Sequence, residues 1–126
     1  MTAVLDASAL LAYLKNEVGA AVVEASLSDS VISSVNWAEV VQKAIALEVD
    51  TDDMFEELQG MGLTIEMFSQ RDAETTGKLW SQTQEYGLSF GDHACLSLGL
   101  RLKATVLTSD RAWESLNLSV GVQFIR

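Results

Sequence analysis

Short apolar runs alternate with longer, helix-like segments along the 126 residues of the chain. Several of the runs are rich in Val, Ile and Thr, which is typical of short buried strands. The longer segments place apolar residues three or four positions apart, and this spacing predicts amphipathic helices. The predicted strands cover residues 3–5, 31–33, 63–68, 105–108 and 122–126. The predicted helices cover residues 9–14, 18–27, 35–49, 52–59, 69–87, 89–103 and 109–116.

Polar residues at several predicted helix starts support these boundaries. Ser34 is expected to be the N-cap of the helix that continues to residue 49. Ser69 with Asp72, and Ser89 with Asp92, have the spacing of a capping box, in which each side chain accepts a backbone N–H near the other. These two pairs predict where the fifth and sixth helices begin.

Strands that alternate with helices predict an α/β fold, a three-layer sandwich around a parallel sheet of about five strands. No proline, repeat or low-complexity tract marks a linker, so residues 1–126 are expected to form a single domain. Right-handed crossovers would bring the C-terminal end of every strand to one edge of the sheet, where such sheets bind ligands. Side chains that follow the strands are therefore the first candidates for a functional site.

The composition is that of a globular protein, since 48% of the residues are hydrophobic and 21% are charged. No apolar run is long enough to span a membrane, and the first residues lack the pattern of a signal peptide. Cys95 is the only cysteine and lies in an apolar segment, so it is expected to be a buried thiol. These features predict a cytoplasmic protein with no membrane association.

The charge balance is strongly acidic: 18 acidic residues against 8 basic residues give a formal net charge of −10. This argues against a broad basic face for nucleic acid. It suits a protein that binds a cation or a basic partner. A function that involves RNA therefore has to overcome electrostatic repulsion.

Four acidic residues stand out because each is embedded in apolar sequence. Asp6 and Asp110 directly follow predicted strands, so both are expected at the same edge of the sheet. Glu39 and Asp92 lie near the starts of helices that follow at that edge. Each Asp also has a structural interpretation, as an N-cap or as the acid of a capping box. Glu39 has no capping role, although it could be a solvated helix residue.

If these acids converge, something positive must lie among them, because clustered carboxylates repel one another and raise one another's pKa values. The basic residues nearest in sequence are few: Lys15, Lys43 and Arg111. A hard divalent cation with oxygen ligands, Mg²⁺ or Mn²⁺, fits such a site. Zinc does not, since one His and one Cys are too few for its usual ligands.

Four motifs in this order resemble the PIN domain family, and specifically the VapC-type toxin ribonucleases of bacterial toxin–antitoxin pairs. They are VLDASALLAYL, SSVNWAEVVQKA, GLSFGDHACLSLG and VLTSDRAW, and the resemblance extends over essentially the whole chain. It implies a sheet with strand order 3-2-1-4-5. It also implies an endoribonuclease that depends on Mg²⁺ or Mn²⁺ and leaves 5′-phosphate and 3′-hydroxyl ends.

The resemblance assigns the catalytic quartet to Asp6, Glu39, Asp92 and Asp110. Asp6 and Asp92 would bind the metal directly, and Asp110 would bind a metal or its water. Glu39 would orient or deprotonate the attacking water. Ser8 and Ser109 would help to arrange the site, and Arg111 or Lys15 would contact a phosphate of the substrate.

The same resemblance implies several partners besides RNA. A VapB-type antitoxin is expected to bind the toxin, and the segment 51–62 is a candidate groove for it. A homodimer is expected, whereas direct DNA binding is not, because the chain shows no helix-turn-helix. The alternative function is a PIN-like binding module that is catalytically silent, or active only within a larger complex.

Overall fold

A computed structural model describes residues 1–126 as a parallel β-sheet covered by helices on both faces. The strands are β1 (Ala3–Leu5), β2 (Ser30–Ser33), β3 (Leu63–Glu66), β4 (Thr105–Thr108) and β5 (Val122–Phe124). The helices are α1 (Ala7–Leu14), α2 (Ala20–Ser26), α3 (Ser34–Ala46), α4 (Met54–Gly60), α5 (Gln70–Thr83) and α6 (Phe90–Leu102). Short 3₁₀ turns cover Leu27–Asp29, Gln84–Tyr86 and Arg111–Ser115.

The five strands are all parallel and lie in the order β3-β2-β1-β4-β5, which confirms the predicted fold and strand order. β1 pairs with β2 on one side and with β4 on the other, so the order reverses beside β1. The segment that follows β1 and the segment that follows β4 pack on opposite faces of the sheet. The C-terminal ends of these strands therefore flank the crevice that such sheets use for ligands.

The alternation of side chains along β1 divides the interior into two cores. Ala3 and Leu5 face a core that is completed by α1, α2, α3 and α4. Val4 faces the opposite way, into a core completed by α5 and α6. Because both faces of the strand are buried, the run has no polar position until Asp6.

The third helix ends earlier than its apolar spacing predicts, at residue 46 rather than 49. Glu48 has a left-handed backbone (φ 59°), and its N–H donates to the Ile45 carbonyl at 2.9 Å. The Val49 N–H returns to the Ala44 carbonyl at 2.9 Å. These two bonds form a Schellman C-cap, in which an apolar residue characteristically follows the helix end. Val49 therefore fits the helical pattern without belonging to the helix.

Other predicted boundaries shift for local reasons. α2 begins at Ala20 because Gly19 before it is left-handed (φ 98°). β3 ends at Glu66, since the Phe68 N–H donates to the Ser34 hydroxyl and no longer faces a neighbouring strand. Ser33, not Ser34, caps α3. The segment predicted as a helix after β4 is a 3₁₀ turn. α5 and β5 are shorter than predicted, and α4 begins and ends slightly later than predicted.

Both predicted capping boxes are present, at the starts of α5 and α6. The second of them fixes the beginning of the helix that carries Asp92. None of the six helices combines the length and the apolar character needed to cross a bilayer.

Candidate active site

The four acids predicted from the sequence meet in one cleft at the C-terminal edge of the sheet. Asp6, Glu39, Asp92 and Asp110 all line this cleft, whose volume of about 180 Å³ accommodates an ion with several waters. They come from the ends of β1 and β4, from the second turn of α3 and from the first turn of α6. Ser8, Asn36 and Lys43 line the same cleft. We refer to it below as the acidic cleft.

Asp6 is both the N-cap of α1 and the most buried of the four acids. Its Oδ1 accepts the backbone N–H of Ala9 at 2.8 Å and the Ser8 hydroxyl at 2.7 Å. Its Oδ2 accepts the Thr108 hydroxyl at 2.5 Å. The capping interpretation of Asp6 is therefore correct, but it does not remove the residue from the cleft.

Burial raises the pKa of Asp6 to about 6, although Thr108, Ser8 and the Ala9 N–H stabilise its ionised form. The negative charge of Asp92 adds to the same rise in pKa. Only 4% of the Asp6 surface is exposed, so water contributes little to its solvation. Three donors do not compensate for this burial, and a cation in the cleft would supply the missing stabilisation.

Asp92 and Asp110 each use one carboxylate oxygen for capping and leave the other without a protein partner. Asp92 Oδ2 accepts the Ser89 N–H at 2.9 Å within the capping box. Asp110 Oδ1 accepts the Ala112 N–H at 2.9 Å at the start of the 3₁₀ turn. Capping fixes the orientation of each side chain, and the remaining oxygens are available to a ligand in the cleft.

Glu39 is held by a residue that sequence reasoning missed, Asn36. The Asn36 Nδ2 group donates to Glu39 Oε1 at 2.8 Å and to the Gly91 carbonyl oxygen at 2.9 Å. The Glu39 carboxylate thus lies against the first turn of α6, beside Gly91, the residue before Asp92. An Asn one helical turn before a Glu in an apolar helix was the available signal, since a buried amide needs partners.

The Glu39 carboxylate lies so close to Gly91 that a side chain there would displace it. A Cβ built on Gly91 would overlap Glu39 Oε1 and would lie 2.8 Å from its Cδ. The glycine therefore allows the Glu39 carboxylate to lie against the first turn of α6.

The donor set fits a hydrated Mg²⁺ or Mn²⁺ ion better than a fully protein-bound one. No group of three His, Cys, Asp or Glu side chains is close enough to enclose an ion by itself. Mg²⁺ commonly binds through one or two carboxylates and keeps several waters. The oxygens of Asp92 and Asp110 that lack protein partners would supply such ligands, as would Asp6 Oδ2, which accepts only one hydrogen bond. Their hard oxygen chemistry suits these ions.

Cys95 gives a second indication that the acids converge. It is fully buried on α6, one helical turn after Asp92, and burial raises its pKa well above the usual range. The charges of Asp6, Asp92 and Glu39 add to this rise. The thiol is therefore protonated and serves as core packing, which agrees with the role predicted from sequence.

The predicted supporting residues divide into two groups. The Ser8 hydroxyl donates to Asp6 and accepts the Ser109 N–H at 3.0 Å, so Ser8 and the backbone of Ser109 join β1 to the end of β4. Arg111 does not line the cleft: its guanidinium donates to the Arg126 carbonyl at 2.8 Å and lies 4.7 Å from the Phe124 ring centroid.

The only basic side chain that lines the acidic cleft is Lys43, which forms no ion pair within the chain. Lys15, in contrast, pairs with Glu17 at 3.3 Å and lies at a different groove. Lys43 follows Glu39 by one helical turn on α3, a spacing that places both side chains on one face. Of the basic residues considered from sequence, it is the one that lies at the acidic cleft.

Several solved structures have the same fold as this chain. A chain of a toxin–antitoxin complex from Klebsiella pneumoniae aligns at a TM-score of 0.77 with 21% identity, covering 98% of each chain. VapBC-1 from nontypeable Haemophilus influenzae gives 0.73 at 18% identity, over 99% of this chain and 98% of that chain. A chain of VapBC2 from Rickettsia felis, in a complex with a DNA fragment from the VapBC2 promoter, aligns at a TM-score of 0.69 with 18% identity, covering 98% of each chain. No curated protein sequence matches the chain.

Family membership follows from the sequence itself. A family model for the PIN domain matches residues 3–117, a span that includes all four acids of the cleft, β1 through β4 and all six helices. The strand order and the placement of the acids agree with the resemblance seen in the sequence motifs. The chain therefore belongs to the PIN domain family.

Proposed function

We propose that the protein is an endoribonuclease that depends on Mg²⁺ or Mn²⁺ and acts as the toxin of a VapBC-type toxin–antitoxin pair. PIN domains are generally nucleases. The observation that carries the proposal is the convergence of four acids from distant segments in one cleft beside the strand-order reversal. Such a cleft repels a phosphodiester unless a cation is bound there, so the site and the cofactor require each other.

In this mechanism the metal would be held by Asp6 and Asp92, with Asp110 on a metal or on its water. A bound divalent ion supplies positive charge to the phosphate oxygens and acidifies a water. Glu39 orients the attacking water, or takes its proton, through Oε2, which has no partner in the chain. Lys43, on the same face of α3 as Glu39, contacts a phosphate oxygen of the substrate at the rim of the cleft. Ser8 and Ser109 keep the ends of β1 and β4 in register.

Asp92→Asn should reduce Mn²⁺-dependent cleavage of the target RNA at least about 100-fold, because it removes a ligand charge while the amide can still cap α6. The measurement is single-turnover cleavage on a panel drawn from total RNA, combined with calorimetric titration of Mn²⁺. Glu24→Gln is the matched control, since Glu24 is exposed on α2 and forms no ion pair. Cleavage by Asp92→Asn at the control rate would overturn the proposed site.

Lys43→Ala should raise KM for RNA about five- to tenfold and leave kcat nearly unchanged, because Lys43 contributes a phosphate contact rather than chemistry. The effect should shrink at high salt, where phosphate contacts are screened. Lys78→Ala serves as the control, since Lys78 is also exposed on a helix, α5, and forms no ion pair. Equal KM values for the two variants would exclude Lys43 from substrate binding.

The proposed antitoxin would bind a groove at the ends of α1 and α3 and the start of α4. The groove has a volume of about 280 Å³ and a lining that is mostly apolar, with more acidic than basic residues. The apolar residues are Leu11, Leu14, Ala44, Leu47, Val49 and Met54, and the charged residues are Asp50, Asp53, Glu57 and Lys15. A basic, amphipathic helix of the partner would complement both features.

The partner hypothesis has a direct test. An adjacent reading frame for a small protein with a basic tail should lie upstream, and its product should inhibit cleavage by this chain. Promoter binding of the kind named for the Rickettsia felis complex would belong to the assembled pair, with the partner as the chain that reads DNA. The expected homodimer is part of the same proposal.

The net charge of −10 is the one observation that favours the alternative, a binding module without activity of its own. The two functions separate in one experiment. Mn²⁺ binding with no cleavage of any RNA, alone or with the partner, would support the binding module. Cleavage that Asp92→Asn abolishes would support the nuclease.

A further inference from the structure

We propose that Asn36 is a positioning residue, which acts through Glu39 and fixes the distance between Glu39 and the first turn of α6. The role of Asn36 in catalysis rests on the proposed nuclease function. The hydrogen bonds on which it depends do not, and they are testable in the protein alone.

The orientation of the Asn36 side chain is unambiguous on chemical grounds. The amide is 1% exposed, and the two atoms within hydrogen-bond distance, Glu39 Oε1 and the Gly91 carbonyl oxygen, are both acceptors. Only the NH₂ group of Asn36 can face them. The Glu39 carboxylate accepts no other hydrogen bond and forms no ion pair within the chain, so Asn36 is its sole protein donor.

The other end of the Asn36 amide, its carbonyl oxygen, is not satisfied within the chain. Asn36 Oδ1 is buried and has no hydrogen-bond partner. A buried acceptor without a partner is destabilising, and an apolar residue of similar size would avoid it. The two bonds from Nδ2 are therefore the reason to have Asn at position 36, and both bonds lead to the acidic cleft.

The hydrogen bond from Asn36 to the Gly91 carbonyl oxygen fixes the position of Glu39 relative to α6. Gly91 immediately precedes Asp92, so one NH₂ group links the carboxylate of Glu39 to the backbone beside Asp92. The absence of a side chain on Gly91 lets the Glu39 carboxylate lie against α6. Asn36 thus sets where Oε2 of Glu39 points relative to Asp92, which is the geometry that an attacking water requires.

Asn36→Ala should lower kcat about 10- to 100-fold while KM for RNA and the Kd for Mn²⁺ stay within twofold of wild type. Gln42→Ala is the control, because Gln42 is an exposed amide on the same helix with no hydrogen bond. In a Glu39→Gln background the same change at Asn36 should have little further effect on kcat, since Asn36 acts through Glu39. Multiplicative effects of the two substitutions, or an unchanged kcat in Asn36→Ala, would overturn the proposal.

A spectroscopic measurement tests the bonds without any assay of activity. The chain has three Asn residues, and Asn16 and Asn117 are exposed, so selective ¹⁵N labelling of Asn gives three side-chain NH₂ pairs. One pair should exchange with solvent at least about tenfold more slowly than the others and should shift in Glu39→Gln. Three pairs that exchange equally fast would overturn the proposal, even if Asn36→Ala fails to fold. A protected pair in a protein that cleaves no RNA would instead refute the nuclease function.

Discussion

Asp6→Asn should make the metal-free protein more stable at neutral pH and at the same time abolish cleavage. Asparagine has nearly the same shape and can still cap α1 through the Ala9 N–H. Its NH₂ group replaces Oδ2, so the Thr108 hydroxyl would accept a hydrogen bond there instead of donating one. It removes a carboxylate whose pKa is raised by burial from 3.8 to about 6. Because one pKa unit corresponds to about 1.36 kcal/mol, this burial destabilises the wild type by up to roughly 3 kcal/mol at neutral pH.

The pH dependence follows from the direction of that change in pKa. Between the two values the native state binds the Asp6 proton more tightly than the unfolded state does, so the stability of the wild type falls as the pH rises from about 4 to about 6. Below that pH range the buried Asp6 carboxyl does not lower the stability, and above it the loss of stability is complete. Asp6→Asn should lack this decline. Thermal unfolding with a chelator present, from pH 4 to pH 8, measures it against Glu24→Gln as the charge-matched control.

Added Mn²⁺ should reverse the order of stability. An ion that binds only the folded state stabilises it by about 2.7 kcal/mol at a concentration 100 times its Kd. The wild type should gain this stabilisation, whereas Asp6→Asn should gain much less. A lower melting temperature for metal-free Asp6→Asn at pH 7.5, or an equal response of both proteins to Mn²⁺, would contradict the convergence of the acids on an ion.

The position of the candidate site was predictable because it follows from topology. Asp6 directly follows β1 and Asp110 lies two residues after β4, and parallel strands bring such residues to one edge regardless of their separation in sequence. Asp92 was located by the capping box that starts α6. In the sequence, capping and a place in the site were treated as alternatives for these residues, yet each Asp caps a helix or turn and also lines the acidic cleft. Capping orients a carboxylate without using all of its acceptor capacity.

The parts that sequence reasoning missed depend on contacts between distant side chains. The direction of Arg111 is decided by Phe124 and the carbonyl of Arg126, which no local pattern reveals. The spacing of Asn36 and Glu39 in the sequence hints at a contact between them, but the second acceptor, the Gly91 carbonyl oxygen, is 55 residues away and is visible only in the structure. The end of α3 was misplaced because an apolar residue after a Schellman cap continues the helical spacing.

Gly91→Ala should reduce cleavage about 10- to 100-fold with little change in stability. The new Cβ would overlap the Glu39 carboxylate, which is the far end of a flexible side chain and can turn away at small energetic cost. Turning away breaks the bond from Asn36 and takes Glu39 out of position for the attacking water. The loss should therefore appear in kcat, with KM and Mn²⁺ affinity nearly unchanged.

Gly77→Ala is the matched control for this substitution, because Gly77 is also within a helix, α5, and an added Cβ there has no heavy atom within 4 Å. That variant should gain about 0.5–1 kcal/mol from the better helix propensity of Ala and keep full activity. Gly91→Ala receives the same benefit in the first turn of α6, so its melting temperature should stay near that of wild type while its kcat falls. If both variants cleave RNA at the wild-type rate, the Glu39 carboxylate does not need its place against α6, and its assignment to the attacking water is wrong. If Gly91→Ala loses activity only in proportion to a loss of folded protein, the close approach of α3 to α6 serves the fold rather than the chemistry.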